Sequence, residues 1–277
     1  MPAKTIELVG KIGSMALIRK EDHDINYNIF SRLGAELKPG MVWVSSGATE
    51  IGRLDYMKRN GGQELAGDEE EAKADYAAQG QAILMENYRR FISPEYSVRQ
   101  LLVEHTHFND PDKCSHIKSL LLRCTDQGAI PIVNYNDPVS FEENRKMELV
   151  QLRQNRNGVV ECIDNDETAA VISSLVQAKR LLIMTSVDGI YLDSTNPDTL
   201  METITGNDTQ EVLAAIERMQ DHCDGASRRG AGGAKAKLEF CKGPVKAGTE
   251  VIIGHARHRI SDLVEGRVRC TRIGVGL

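Results

Sequence analysis

Four stretches of the chain place charged, hydroxyl or amide groups beside glycine or at the end of an apolar run. In Lys11-Ile12-Gly13-Ser14 the glycine lets backbone N–H groups approach an anion, and the lysine adds a point charge. Ser45-Ser46-Gly47-Ala48 sets small hydroxyl and glycine residues at a strand-to-helix turn. Such a turn cradles a carboxylate or phosphate, or simply caps a helix. Pro131-Ile132-Val133-Asn134-Tyr135-Asn136-Asp137 puts amides and a carboxylate straight after a buried run, and Cys162-Ile163-Asp164-Asn165-Asp166 puts two more carboxylates before a helix. Such clusters suit an ammonium group, a metal or a lysine. One Asn-Asp pair is ordinarily a turn with a cap; two at the same kind of topological position point to function. Arg228-Arg229-Gly230-Ala231-Gly232-Gly233-Ala234-Lys235-Ala236-Lys237 gathers four cations and three glycines in ten residues. A helix starting near Gly233 would aim its N–H groups at an anion, and Lys237, one turn in, would reach across a transferring phosphoryl group.

The 277-residue chain carries a net charge of -6 with a pI near 5.7, so the basic stretch is a local concentration against an acidic background. Aromatics make up 5% and include one Trp, which excludes a sheet-wide stacking surface for nucleic acid. The basic stretch is neither a Walker P-loop nor a dinucleotide fingerprint, since GxxxxGK[ST] and a GxGxxG after the first strand are both missing. Six cysteines, at 114, 124, 162, 223, 241 and 270, show no CxxC pair and no zinc-type spacing, and read as reduced thiols. With no apolar leader and no run of about 18 apolar residues, a soluble cytoplasmic protein with no membrane partner is expected. His105 and His107 follow a strand and read as satisfied surface histidines. Two lysines at opposite ends of the chain, a small-residue cradle and a carboxylate/amide cluster suggest phosphoryl transfer from a nucleotide to a small acid. That chemistry needs positioning and cations more than a covalent nucleophile.

These residues must be held by alternating elements. Short apolar runs at 6–9, 41–44, 98–103, 129–133, 181–184 and 251–253 read as buried strands, and helical periods cover 24–37, 75–92, 112–127, 167–178 and 234–247. The βαβα alternation predicts an α/β fold, a mostly parallel open sheet in a three-layer αβα sandwich with ligands beyond the carboxyl ends of the strands. Residues 60–72, with the acidic run 68–71, read as a solvated loop, and 221–233 as a candidate lid. No compositional break marks a linker, so 1–277 reads as a single domain.

In order along almost the whole chain, these segments resemble the amino acid kinases, and among them the glutamate 5-kinases of proline biosynthesis. Lys11 to Ser14 resembles KxGSS, Val44 to Ala48 with Gly52-Arg53 resembles VSSGAxxxGR, and Ala77 to Gln81 is similar to AAxGQ. Pro131 to Asp137 resembles PIxNEND, Asp164 to Asp166 resembles GDND, Thr185 to Tyr191 resembles TDxDGLY, and Gly230 to Leu238 resembles GTGGMxTKL. The resemblance implies an acceptor-binding half, about 1–165, and a nucleotide-binding half, about 166–277. It implies that Lys11 and Lys237 flank the transferring phosphoryl group while Asp166 positions both. Gly13, Ser14 and Gly47 would face the phosphates or the acid. Ser46, Asp137, Asp164 and Asn165 would bind glutamate, and Thr185, Asp188, Gly232 and Gly233 would line the nucleotide. ATP is the implied phosphoryl donor, with Mg²⁺ neutralising its β/γ-phosphates, and a homodimer or homotetramer is the implied assembly. No metal-ligating residue is assigned.

Tyr135 stands where that pattern has Glu, Ile163 where it has Gly, Ser186 where it has Asp, and Ala231 and Ala234 where it has Thr and Met. A different acceptor remains open, such as another amino acid, a nucleoside monophosphate or an isoprenoid phosphate, with Arg53, Lys58 and Arg59 as the extra cations. A non-catalytic nucleotide-binding relative is open as well. The sequence stops at Leu277, which reads as a short form without the PUA domain of many relatives.

Overall fold

The computed structural model describes residues 5–19, 21–140, 142–155, 158–162, 164–193, 195–222 and 233–277. Along the chain its strands are β1 (Leu8–Ile12), β2 (Ile18–Arg19), β3 (Asp24–Ile25), β4 (Met41–Ser45), β5 (Ser97–Val103), β6 (Ala129–Tyr135), β7 (Arg180–Thr185), β8 (Thr203–Gly206), β9 (Glu250–His255) and β10 (Thr271–Val275). The helices are α1 (Tyr27–Glu36), α2 (Ala48–Arg59), α3 (Glu69–Phe91), α4 (His105–Asn109), α5 (Pro111–Asp126), α6 (Glu142–Asn155), α7 (Asn165–Val176), α8 (Thr209–His222), α9 (Ala234–Lys246) and α10 (Ile260–Val264).

Eight strands form one sheet in the order β5-β6-β4-β1-β7-β9-β10-β8, parallel except where β9 meets β10, while β2 and β3 form a small separate hairpin. The expected architecture is therefore the one observed. Alternating side chains on the central strands face opposite layers. Val9, Val44, Leu181, Ile183, Val251 and Ile253 pack on the layer containing α5, α7, α8 and α9. Leu8, Ile12, Trp43, Leu182, Met184 and Ile252 pack on the layer containing α1, α2, α3 and α10. Buried on both faces, these strands read as continuous apolar runs.

Local chemistry sets the element ends. The acidic run at 68–71 is not loop: Asp68 accepts hydrogen bonds from the Glu70 and Glu71 backbone N–H groups at 2.8 and 3.1 Å, and Glu69 to Glu71 form the first turn of α3, where carboxylates complement the helix dipole. α2 and α3 cross with backbones in contact. A Cβ on Gly52 would meet the Tyr76 carbonyl oxygen at 1.8 Å, and one on Gly80 the Ala48 oxygen at 1.8 Å. These two glycines of the resemblance are thus packing residues, and they fix the start of α2 against α3. The expected lid lies mostly at 223–232, outside the described residues. Among the described residues no helix is long and apolar enough to cross a membrane.

Candidate active site

β1 begins two residues later than its apolar run suggests and continues through Lys11. The reason is its central position: Lys11 pairs in register with Val44 of β4 and Ile183 of β7, so both neighbours extend the ladder. Its side chain emerges at the carboxyl edge. The same edge carries Ser46 and Gly47 after β4, Asn136 and Asp137 after β6, Thr185 at the end of β7, and Asp164 to Asp166 at the start of α7.

Asp166 is the centre of this edge, 2% exposed within the first turn of α7. Lys11 Nζ lies 2.5 Å from its Oδ1, and Lys237 Nζ donates a hydrogen bond to its Oδ2. Burial pushes the carboxyl up, but the two ammonium groups pull harder and hold it below the usual carboxylate range. Lys237 arrives from the first turn of α9, whose N-cap is Gly233. α7 is itself started by Asp164, whose Oδ1 accepts from the Asp166 and Glu167 backbone N–H groups at 2.8 and 2.9 Å. The two neighbouring acids thus have different work: one opens the helix, the other holds both cations.

A chain of amides ties the cradle to this centre. Asn165 Nδ2 donates to Ser46 Oγ at 3.1 Å and to Asn134 Oδ1 at 2.9 Å, and Asn134 Nδ2 donates to Gln81 Oε1 at 2.9 Å. Asn134 and Gln81 are buried, so these bonds are shielded from water and fix the side-chain orientations. Below the cradle, Trp43 Nε1 donates to Tyr88 Oη at 3.0 Å, Tyr88 donates to Ser45 Oγ at 2.7 Å, and Ser45 donates to the Ser46 carbonyl at 3.0 Å. Gly47 completes the turn at φ +106°, where a Cβ would also meet Leu17 Cδ1 at 2.9 Å. Neither Asn134 nor Gln81 stood among the expected site residues. Their signal was a pair of amides inside otherwise apolar or small-residue segments.

A cavity of about 670 Å³ opens over this centre. Lys11, Gly13, Ser14, Ser46, Asp164, Asn165, Asp166, Thr185, Asp188, Gly233 and Lys237 all line it, so the structure brings eleven expected residues together. Gly47 shapes the turn without lining the cavity. Gly232 and Ile163 lie outside the described residues, as does Ala231. Asp188 is committed to Arg257, whose Nη2 donates to Oδ1 at 2.6 Å. Arg257 and His255 also line the cavity, and both were passed over although they sit at the carboxyl end of β9. Burial and the neighbouring Arg257 push the His255 imidazole down, which keeps it neutral near pH 7.

Asp137 lies apart. It lines a second cavity of about 310 Å³ together with Thr49, Lys73, Tyr135, Ser140 and Arg145. Asp137 is exposed to that cavity, and the loss of part of its solvation to the surrounding protein pushes its carboxyl up to about 6, with Arg145 pulling the other way. Tyr135 is 5% exposed, and its Oη is 2.8 Å from Ser140 Oγ and 3.5 Å from His105 Nδ1. His105, expected at the surface, is 2% exposed because the single turn of α4 packs it behind β6, and its Nε2 is 2.9 Å from Glu148 Oε2 of α6. His107 has a structural task, its Nδ1 accepting from the Glu104 backbone N–H at 2.9 Å. The cations on α2 are also taken: Arg53 bonds Glu64, Lys58 Nζ bonds Asp24 at 2.6 Å and Arg59 Nε bonds Asp55 at 2.8 Å.

A three-layer parallel sheet with two lysines sharing one buried carboxylate over a glycine-lined cavity is an arrangement for binding phosphates. Family comparison agrees: the chain belongs to the amino acid kinase family, whose model matches residues 8–255. Among curated relatives it is 28% identical over 275 residues to a glutamate 5-kinase of Halalkalibacterium halodurans, covering 97% of this chain and 62% of that protein. It is 27% identical over 282 residues to a glutamate 5-kinase of Alkaliphilus metalliredigens, with 99% and 97% covered. A third, from Dehalococcoides mccartyi, is 31% identical over 271 residues, with 96% and 65% covered. The chain thus spans less than two thirds of the first and third of these relatives. Among solved structures, carbamate kinase from Giardia lamblia bound to AMP-PNP matches with TM-score 0.61 at 13% identity over 99% of this chain and 100% of that one. UMP kinase from Ureaplasma parvum matches with TM-score 0.53 at 13% identity, over 98% of each chain. These two likenesses are likenesses of fold.

Proposed function

We propose that the chain is an ATP-dependent phosphotransferase acting on a small carboxylate, with L-glutamate as acceptor and L-glutamyl 5-phosphate as product. The observation that carries this reading is Asp166 held between Lys11 and Lys237 at the floor of the larger cavity. An acyl phosphate forms when a carboxylate oxygen attacks the γ-phosphorus and the β–γ bridging bond breaks, leaving ADP. Negative charge spreads over the transferring oxygens on the way, and two cations fixed in advance stabilise it without reorganising. Asp166 offsets the repulsion between the two ammonium groups and holds both at the cavity. The backbone N–H groups at the start of α9 are donors for phosphate oxygens, as helix N-termini generally are, while the Gly13 N–H donates to the Met184 carbonyl at 3.3 Å and ties this turn to β7.

The acceptor belongs with the half of the chain up to about residue 165 and the nucleotide with the half from about 166. Ser46, whose Oγ accepts from Asn165, has its own O–H as a donor for the reacting carboxylate. Mg²⁺ would arrive on the β- and γ-phosphate oxygens, offsetting their charge, with Asp164 and Asp188 the further carboxylates bordering the cavity. A phosphate-bearing acceptor is the poorer fit, because Arg53, Lys58 and Arg59 are already paired with acids.

Coupled ADP release with Mg-ATP and L-glutamate, run with hydroxylamine to trap the acyl phosphate as a hydroxamate, tests the reading. Hydroxamate that requires glutamate supports it. ADP release that responds to UMP but not to glutamate, or to no acceptor at all, overturns it.

A further inference from the structure

The smaller cavity holds a cation that falls outside every segment of the family pattern. Arg145 sits on α6, between the two amide/carboxylate segments, and lines this cavity opposite Asp137. Its guanidinium carbon lies 5.8 Å from the centroid of the Tyr135 ring, so the ring covers one face of the plane. One edge donor hydrogen-bonds the Tyr135 hydroxyl, and the remaining donors of the guanidinium are those that can take a carboxylate in a two-pronged fashion. Among the described residues no carboxylate forms an ion pair with Arg145. Lys73, the other cation of this cavity, is engaged by Glu69 at 2.7 Å.

The platform under Arg145 is built. Tyr135 is held through Ser140 and His105, and His105 in turn meets Glu148 three residues further along α6. Leu149, 6% exposed, anchors that helix on the protein. The cavity's volume is at the small end for small-molecule sites, and the start of α2 borders it: Thr49 lines it, three residues after Ser46 of the larger cavity.

We propose that Arg145 is a specificity-determining residue, which binds the non-reacting carboxylate of an α-amino dicarboxylate while Asp137 faces its ammonium group. Tyr135, which replaces the acid of the family pattern, removes a negative charge from beside that carboxylate and supplies the ring on which the guanidinium rests. This inference rests on the carboxylate-kinase reading for the identity of the acceptor, but it is a statement about binding and can be tested without turnover.

The test is calorimetric titration of the whole chain, held with Mg²⁺ and a non-hydrolysable ATP analogue, with L-glutamate and with 4-aminobutyrate, which keeps the reacting carboxylate and the ammonium but lacks the second carboxylate. The wild type should bind glutamate about ten- to a hundredfold more tightly than 4-aminobutyrate, the scale of a charged two-pronged hydrogen bond. Arg145→Gln should bring that ratio close to one with little change for 4-aminobutyrate, and Arg145→Lys should recover only part of it. A ratio unchanged in Arg145→Gln, or a wild type that binds neither acid, overturns the inference. Arg145-dependent glutamate binding without hydroxamate formation upholds it and overturns the proposed reaction instead.

Discussion

At the larger cavity the charged groups already answer one another. Asp166 is fully engaged by two lysines, Asp164 by the N–H groups of α7 and Asp188 by Arg257. At the smaller cavity Asp137 and Arg145 face open space, on a loop after β6 and on a helix outside the family pattern. The first region is made of strand ends and helix starts, which the ladder of the sheet holds in register. The second is made of connections. Preorganised charge belongs where phosphoryl transfer must be stabilised, and adjustable groups belong where acceptors differ between relatives. The departure at Tyr135 falls in the second region, whereas Lys11, Lys237 and Asp166 are kept.

The contrast is sharpest at Lys237. Lys237→Ala should lower kcat by about a hundred- to a thousandfold, about 4 kcal/mol at the upper end, because it removes a fixed charge aimed at the transition state. The KM for ATP should change far less. Steady-state kinetics with both substrates varied checks this; an equal loss in KM would mean that Lys237 binds ground-state nucleotide and that the cations are not specialised for the transfer step.

One change should break both regions together. Gly80→Ala would drive a methyl into the Ala48 carbonyl and part α2 from α3, helices that carry the cradle on one side and Thr49 and Lys73 on the other. The expected cost is about 3 kcal/mol, read as a lowered urea midpoint with unchanged slope. A neutral result would show that the crossing is looser than its backbone contacts imply.

The acceptor region should respond to pH where the transfer centre does not. With its carboxyl pushed up to about 6, Asp137 loses charge as the pH falls through that value, and affinity for an ammonium-bearing acceptor should drop by about tenfold per unit below it. Asp137→Asn should flatten the profile. Its effect on stability has the opposite sign. The native state keeps this proton at pH values where the unfolded chain has released it, so stability falls as the pH rises from the ordinary carboxyl value to about 6. Asp166, held low, contributes stability above its unfolded value that disappears as the pH falls through its lower folded value.

The same division explains what was legible in the sequence. Lys11, Asp166 and Lys237 could be found because each sits where a strand ends or a helix starts, and a parallel sheet collects such positions on one edge. Asp137 could be placed beyond the carboxyl end of a strand but not in its own cavity, because the turn after β6 is set by a tertiary bond, Asn136 N–H to the Val103 carbonyl at 2.9 Å. α6 escaped notice because its sequence, EENRKMELVQLRQN, offers little apolar periodicity. β8, at the edge of the sheet, and β10 beside it are short and carry Thr, Arg and Gly, so they lack the apolar run that marked the central strands. His105 looked polar and exposed because burial of a histidine depends on partners, Tyr135 and Glu148, that lie 30 and 43 positions away.

Asp164 tests where the boundary between the two regions runs. Its Oδ1 starts α7, the helix that presents Asp166, while the family resemblance gives the same side chain to the acceptor. Asn caps a helix nearly as well as Asp, whereas Ala does not, so Asp164→Ala should cost about 1 kcal/mol of stability and Asp164→Asn almost none. Thermal melts of the two variants measure that share. If capping is the whole role, Asp164→Asn should also keep the KM for the acceptor. A raised KM in a variant with an intact melting temperature would instead require the second oxygen of this carboxylate to meet the acceptor's ammonium, and the boundary between fixed and adjustable groups would then pass through a single side chain.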